Sequence, residues 1–358
     1  MTGFDYGNAR VRAMKTWLMP GRDLENLAAI ESLPGLIAAL THTAYRKPIE
    51  GALASLEGLD CISTALRNDL VNTLGKIRCF YQNHAGDLVA ISLRRFDVHN
   101  LKAVLRGLAR HLSPGEILLT VLPVGDIHNE LLSDLARAST AREAIDLLAS
   151  MRLAIAQPLM RLRSERPGTG VPEMELALER WYYQDAKRIL ASLSGESIVL
   201  AAALDMELDL TNLLTVFRFV NAPAEWKSLR EWVGSNDLRI LLLGPGKIGF
   251  DLLVRTGEQD SLDAAVETLA GTSFAPALRD GLAAYHQTFR LSDIEKSLRR
   301  FRLQWMKGLI PKDSLGMGLV LGYISLKTNE IDNIRWIAQA IHLGLKTDEI
   351  QANLAFTV

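Results

Sequence analysis

A chain of 358 residues, 48% hydrophobic and 23% charged, is long enough for two or three domains and needs neither metal nor disulfide to hold a core. Its net charge of −1 offers no basic excess for nucleic acid and no acidic tail. The apolar stretches at 197–204 and 314–326 fall short of the roughly 20 residues a membrane span requires, and Asp5, Arg10, Arg12 and Lys15 argue against a signal peptide.

Apolar residues recur at helical intervals and no segment alternates convincingly with the period of a strand, so the chain is expected to be all-α. The first signal is Asp5-Tyr6-Gly7-Asn8: an acidic residue, two spacers and an asparagine before an apolar helical run. The same pattern, Asp97-Val98-His99-Asn100, opens an expected helix with Leu101, Val104, Leu105 and Leu108 inward and a stop at Ser113-Pro114-Gly115. A helix is expected over 173–193, started by Pro172, with Met174, Leu178, Tyr182, Ala186, Ile189 and Leu193 as its inner stripe. The motif returns at Asp209-Leu210-Thr211-Asn212; the apolar run 240–243 is the nearest to a strand, but a helix fits it equally well. Over 292–308, Ser292 and Glu295 make a capping box, Ile294, Leu298, Phe301 and Trp305 share one face, and Gly308 is placed to end the helix. The last pattern is Glu330-Ile331-Asp332-Asn333, then Ile334, Ile337, Ala338 and Ile341, ended by Gly344.

The four asparagines are 92, 112 and 121 residues apart. A proline recurs in similar settings (Pro48, Pro158, Pro276), each after an expected helix pair at 27–43, 135–151 and 253–273. Helices opening at Ile62, Met174 and Ile294 precede the next asparagine by 38, 38 and 39 residues. One helical unit is thus used about three times with a circular offset. The expected units are 86–195, 196–309, and a first unit of 1–85 with 310–358, its two segments packed together. The motif residues Asp5, Asn8, Asp97, Asn100, Asp209, Asn212, Glu330 and Asn333 read as structural. The acid caps an amide three residues on and the asparagine bonds back, a capping-box analogue contributing about 0.5–2 kcal/mol. The sharper alternative has them facing an axis shared by the units.

Signals for chemistry are weak. Gly244-Pro245-Gly246-Lys247-Ile248-Gly249 lacks the spacing and the hydroxyl residue of a phosphate loop and reads as a turn. The seven histidines (42, 84, 99, 111, 128, 286 and 342) form no zinc pair, and Asp205 with Asp209 has no second acidic cluster to share a magnesium ion. Trp181-Tyr182-Tyr183 has no basic groove beside it and reads as packing. Cys61 and Cys79, 18 residues apart, read as two buried free thiols in a reducing cytosol. No cofactor, metal or catalytic residue is expected.

The segments Tyr6-Gly7-Asn8-Ala9-Arg10-Val11-Arg12-Ala13 and Gly322-Tyr323-Ile324-Ser325-Leu326-Lys327 through Asn333-Ile334-Arg335 resemble the C subunit of the prokaryotic A/V-type ATPases, the counterpart of the d subunit of the vacuolar proton pump. The likeness covers nearly the whole chain, although its motifs are helical packing patterns and not catalytic signatures. Glu330 departs from the aspartate of the other motifs, and 160–172 looks like a variable loop. The resemblance implies a funnel of three similar helical domains in a pseudo-threefold arrangement. It implies a non-catalytic central-stalk socket, peripheral on the cytoplasmic side, coupling the central shaft (the D and F subunits) to the membrane rotor ring during rotary ion transport. On that reading the loops 163–170 and 244–249 are expected at an end of the funnel. Without the resemblance, the repeats alone would suit a general helical-repeat scaffold for protein interactions, or more remotely an all-α enzyme.

Overall fold

The computed structural model describes residues 3–166, 168–193, 197–225, 227–228 and 235–356, and every regular element among them is helical. Helix α1 (Asp5–Lys15) comes first. The next run is α2 (Gly21–Ala28), α3 (Leu33–Leu40), α4 (Arg46–Leu53), α5 (Gly58–Phe80) and α6 (Asn83–Ala109). The short α7 (Pro114–Leu118) leads to α8 (Asn129–Ala136), α9 (Ala141–Ser150), α10 (Gln157–Glu165), α11 (Val171–Ala191) and α12 (Ile198–Asn221). A third run is α13 (Phe250–Gly257), α14 (Leu262–Thr268), α15 (Ala275–Thr288), α16 (Ser292–Lys312) and α17 (Met317–His342), and α18 (Thr347–Ala352) follows.

The order of elements therefore repeats: an eight-residue helix (α2, α8, α13), a second short helix, a third carrying the recurrent proline, and two long helices. Local chemistry repeats with it. Ser32, Thr140 and Ser261 stand before α3, α9 and α14, and each hydroxyl accepts from the amide three residues on (Gly35, Glu143, Ala264). Pro48, Pro158 and Pro276 sit in the first turns of α4, α10 and α15, where a missing N–H breaks no helical bond. Just before them Tyr45, Ile155 and Phe274 are buried plugs.

By packing, the chain forms two compact units: residues 1–175 with 306–358, and residues 176–305. The first gathers into one body most of what the repeat count separates. In it α17 packs on α1, α2, α3, α5 and α6, burying Ile331, Ile334, Ile337 and Ala338 completely. In the second, Leu213, Val216 and Phe217 of α12 meet Leu253, Leu278, Ile294 and Leu298, with Phe301 and Trp305 packed alongside.

Several expected boundaries shift. α6 starts at Asn83, well before Asp97. α16 runs through Gly308 and Pro311 to Lys312, and Glu295, expected in a capping box, pairs with Arg218 at 2.8 Å. The segment expected as a variable loop is helical to Glu165, and its Pro167 lies outside the described residues. The apolar run 240–243 overlaps a 3₁₀ turn, Leu238–Leu241. α17 does stop as expected: Gly344 has φ +70° and the Leu345 amide bonds back to Ala340. Replacing the three repeated caps one at a time (Ser32→Ala, Thr140→Ala, Ser261→Ala) is predicted to cost about 1 kcal/mol each, read as a lower urea midpoint; an unchanged midpoint would contradict the capping role.

Candidate functional site

In three of its four copies the acid–asparagine motif is not a helix start. Asp97 and Asn100 lie in the middle of α6, Asp209 and Asn212 in the middle of α12, and Glu330 and Asn333 in the middle of α17. All six are buried, none more than 4% exposed. The capping reading fails because the amides ahead of a mid-helix residue already have partners; the unpaired ones lie at the first turn. Three residues apart on a helix, acid and asparagine share a face, and from it they hold the loop that leads to an eight-residue helix.

Asp97 accepts from the amides of Asp126 (2.7 Å) and Ile127 (3.0 Å), one to each carboxylate oxygen. Asn100 donates to the Leu122 carbonyl (2.8 Å) and accepts from the Leu122 amide (2.6 Å). Asp209 and Asn212 repeat the arrangement. Asp209 accepts from Lys247 (2.9 Å) and Ile248 (3.1 Å), and Asn212 accepts from the Leu243 amide (2.9 Å) and donates to the Gly244 carbonyl (2.7 Å). A carboxylate only accepts whereas an amide side chain does both, so the pair suits a loop with two adjacent free N–H groups and, further back, one of each kind. Arginines on the preceding long helices complete the match. Arg67 Nε donates to Val121 O (2.8 Å) and Arg180 Nε to Leu242 O (2.9 Å).

Glycine makes the contact geometrically feasible. A Cβ at Gly125 would lie 2.2 Å from Asp97 Oδ1, and one at Gly246 would lie 2.2 Å from Asp209 Oδ1. The carboxylate occupies the space of the absent side chain.

In the third copy two distant segments supply the loop. Glu330 Oε2 accepts from the Met19 amide, two residues before α2, as Ile127 and Ile248 stand two residues before α8 and α13. Asn333 donates to the Ala355 carbonyl and accepts from the Ala355 amide, at 2.9 and 3.0 Å. The other glutamate oxygen accepts from the Tyr45 hydroxyl (2.6 Å) and from Lys327 (3.0 Å). Lys327 Nζ also donates to the Tyr45 hydroxyl (2.9 Å) and forms an ion pair with Asp69, 2.8 Å from its Oδ2. Burial, then the charge of Glu330, push the Tyr45 hydroxyl well above its ordinary pKa, so it remains a donor. The first motif in the chain is different. Asp5 is exposed in the first turn of α1 and Phe4, its N-cap, makes no side-chain cap. Asn8 is buried, accepting from Tyr81 Oη (2.8 Å) and donating to Gly316 O (3.1 Å).

Burial raises the Asp97 and Asp209 carboxyls to about 6, against the lowering effect of the backbone amides. Burial would raise Asp126 too, but Arg94 and Arg78, each at 2.8 Å, outweigh it and hold that carboxyl below its ordinary value.

The remaining sequence signals find structural partners. The phosphate-loop look-alike is the clamped loop itself, and the Lys247 and Ile248 amides that could face a phosphate face Asp209. Asp205 pairs with Lys187 and Glu207 with Arg302, and among the described residues no three His, Cys, Asp or Glu side chains gather as a metal site. His99 lies 3.2 Å from Thr120 O, its pKa lowered by burial. Tyr182 and Tyr183 are buried edge to face, 5.0 Å apart. Of the two thiols expected to be buried, Cys61 is, whereas Cys79 is exposed on α5; both are free. Missed from sequence were the partners in the loops, Lys327 and Tyr45, and the two loop arginines. The readable trace was Gly125-Asp126-Ile127 recurring as Gly246-Lys247-Ile248, two residues before a helix.

Residues 7–353 match the family model described as ATP synthase (C/AC39) subunit. The chain is similar to the C subunit of the A-type ATP synthase of Methanocaldococcus jannaschii (25% identity, covering 98% of this chain and 86% of that protein). It is likewise similar to the proteins of the same name from Pyrococcus abyssi (26%; 98% and 90%) and Haloquadratum walsbyi (24%; 97% and 96%).

Gly125→Ala and Gly246→Ala are each predicted to cost about 3 kcal/mol, from overpacking and lost amide pairing. In a double-mutant cycle with Asp97→Ala the Gly125→Ala cost should shrink, since the carboxylate in its way is gone; strict additivity would contradict the clamp. The Asp97 and Asp209 carboxyl carbons should titrate near pH 6 by NMR, and a midpoint near the ordinary 3.8 would contradict it. Because the folded pKa is raised, the extra stability of the protonated groups is fully present below 3.8 and is lost as pH rises through about 6, while the carboxylate's bonds to the loop amides remain above it.

Proposed function

The chain belongs to the ATP synthase (C/AC39) subunit family, and from that membership we propose that it couples the central shaft, the D and F subunits, to the membrane rotor ring of a V/A-type ATPase or ATP synthase. It is a subunit of an A-type ATP synthase and a non-catalytic, structural one. The finer role is a socket on the cytoplasmic side of the membrane, three helical units in a closed, funnel-like body that passes torque between shaft and ring.

The observation that carries this reading is the threefold clamp. Torque lost to bending does no work, so a coupling must be stiff. Close-packed helices are stiff, and the points where such a body would yield are its loops. Here the loops before α2, α8 and α13 are bonded to the interior of a long helix. The third clamp supports the closure of the first unit, since it fastens segments near Met19 and Ala355 to one face of α17. A peripheral position agrees with the absence, among the described residues, of any helix long and apolar enough to cross a membrane.

Tagged protein recovered from detergent-solubilised membranes is predicted to bring down the ring subunits together with the shaft subunits. Recovery of the chain alone, or with proteins of unrelated complexes, would contradict the proposal.

A further inference from the structure

The second compact unit carries an open cleft of about 440 Å³ between α11 and the clamped loop, within the roughly 300–1,000 Å³ that takes a small ligand or a few side chains. Tyr183, Leu208 and Phe250 give it apolar walls, and Arg180, Lys187 and Arg239 give it charge. No carboxylate lines it among the described residues. The three cations differ in how they are answered. Lys187 is met by Asp205 at 2.5 Å, outside the lining, and Arg239 by the exposed Asp251 at 2.6 Å. Among the described residues Arg180 bonds only backbone carbonyls: Leu242 at 2.9 Å, Arg239 at 3.3 Å, and Ile240. Burial lowers its pKa with no acid to offset it. In the earlier repeat the loop supplies its own anion, Asp126, to Arg78 and Arg94. The matching position of the later loop, one past the clamp glycine, is the exposed Lys247. The cleft is thus cationic beside apolar walls, and the loop that borders it carries a lysine where the earlier loop carries an acid.

We propose that this cleft docks a segment of another protein of the same complex, one that presents a carboxylate to Arg180 and Arg239 next to a leucine-sized side chain packed on Leu208 and Phe250. The inference rests on the proposed function, which makes the chain one part of an assembly. Charge complementarity selects the acid, and the walls select an amphipathic polypeptide, read at helical spacing. A phosphate or nucleotide is disfavoured because the loop amides of Lys247 and Ile248 are already given to Asp209 and most of the Arg180 donors to carbonyls. What remains on Arg180 suits one carboxylate, not a cradle of oxygens.

The test uses the full chain in its complex. Phe250 is replaced by the photo-crosslinker p-benzoylphenylalanine, the complex is irradiated and purified from solubilised membranes, and the crosslinked peptide is identified by mass spectrometry. The expected product is a segment of another ATP synthase protein with Asp or Glu within one helical turn of an aliphatic side chain. Arg239→Glu combined with Lys247→Glu, both exposed, should lower its yield about tenfold at physiological salt with the urea midpoint unchanged, whereas Arg239→Lys with Lys247→Arg should restore it. A complex that retains its other subunits but gives no crosslink, or one to lipid, to a second copy of this chain or to a segment without an acid, overturns the cleft inference alone. Recovery of no other ATP synthase protein defeats the proposed function, and this inference with it.

Discussion

A carboxylate buried in mid-helix and filled by two backbone amides is the constraint on which the rest of this structure depends. Neither partner is stable alone in that position. The charged acid would face an apolar core, and each amide left without an acceptor would cost about 1–3 kcal/mol. Together they bring the loop against the helix, and burial of Ile127 and Ile248 follows, each at 2–3% exposure. The arrangement leaves no room for a side chain at Gly125 or Gly246. Against a total stability of about 5–15 kcal/mol for an ordinary domain, a clamp of this kind is a condition of the fold.

The third clamp extends the same chemistry to segments more than 300 residues apart, as the separation of Met19 and Glu330 records. The geometry explains why this copy carries glutamate. It has one backbone amide to accept instead of two, and Tyr45 and Lys327 take the place of the second. A buried ion pair is weak grounds for stability in itself, but removing one partner leaves a charge uncompensated. Lys327, Glu330 and Asp69, with Tyr45, tie α17 to the start of α4 and to α5 at one position. A unit fastened in this manner has few places to bend, the property that the proposed coupling role needs.

Much of this was legible in the sequence. The spacing of Asn100, Asn212 and Asn333 and of the prolines revealed the period, and the stripes of α11, α16 and α17 gave part of the buried faces: Leu178, Tyr182, Ala186, Ile294, Leu298, Ile334, Ile337 and Ala338 are buried, whereas Ile189, Phe301, Trp305 and Ile341 are half-buried and Leu193 lies beyond the end of α11. Three things were hidden. The position of the motif within its helix was one, since acidic residues and asparagine also favour helix starts; the apolar run upstream (Leu88, Val89, Ile91, Leu93, Phe96) was the contrary sign. The clamp partners were another, because Leu122 and Ile127 lie 22 and 30 residues from the side chains they meet and no local periodicity links them. Asp5 was the third: it fits the pattern by composition alone, while its asparagine serves the turn before α17. Gly308 illustrates the same limit, as a helix carried by its apolar stripe overrides a residue that only weakens it.

Native-state hydrogen exchange at the Met19, Ile127 and Ile248 amides tests the central claim most directly. The account predicts that all three exchange as slowly as interior amides of α6, α12 and α17 and that Asp97→Ala, Asp209→Ala and Glu330→Ala each release their own amide selectively. Exchange of these amides at the rate of exposed turns in the unaltered protein would contradict it.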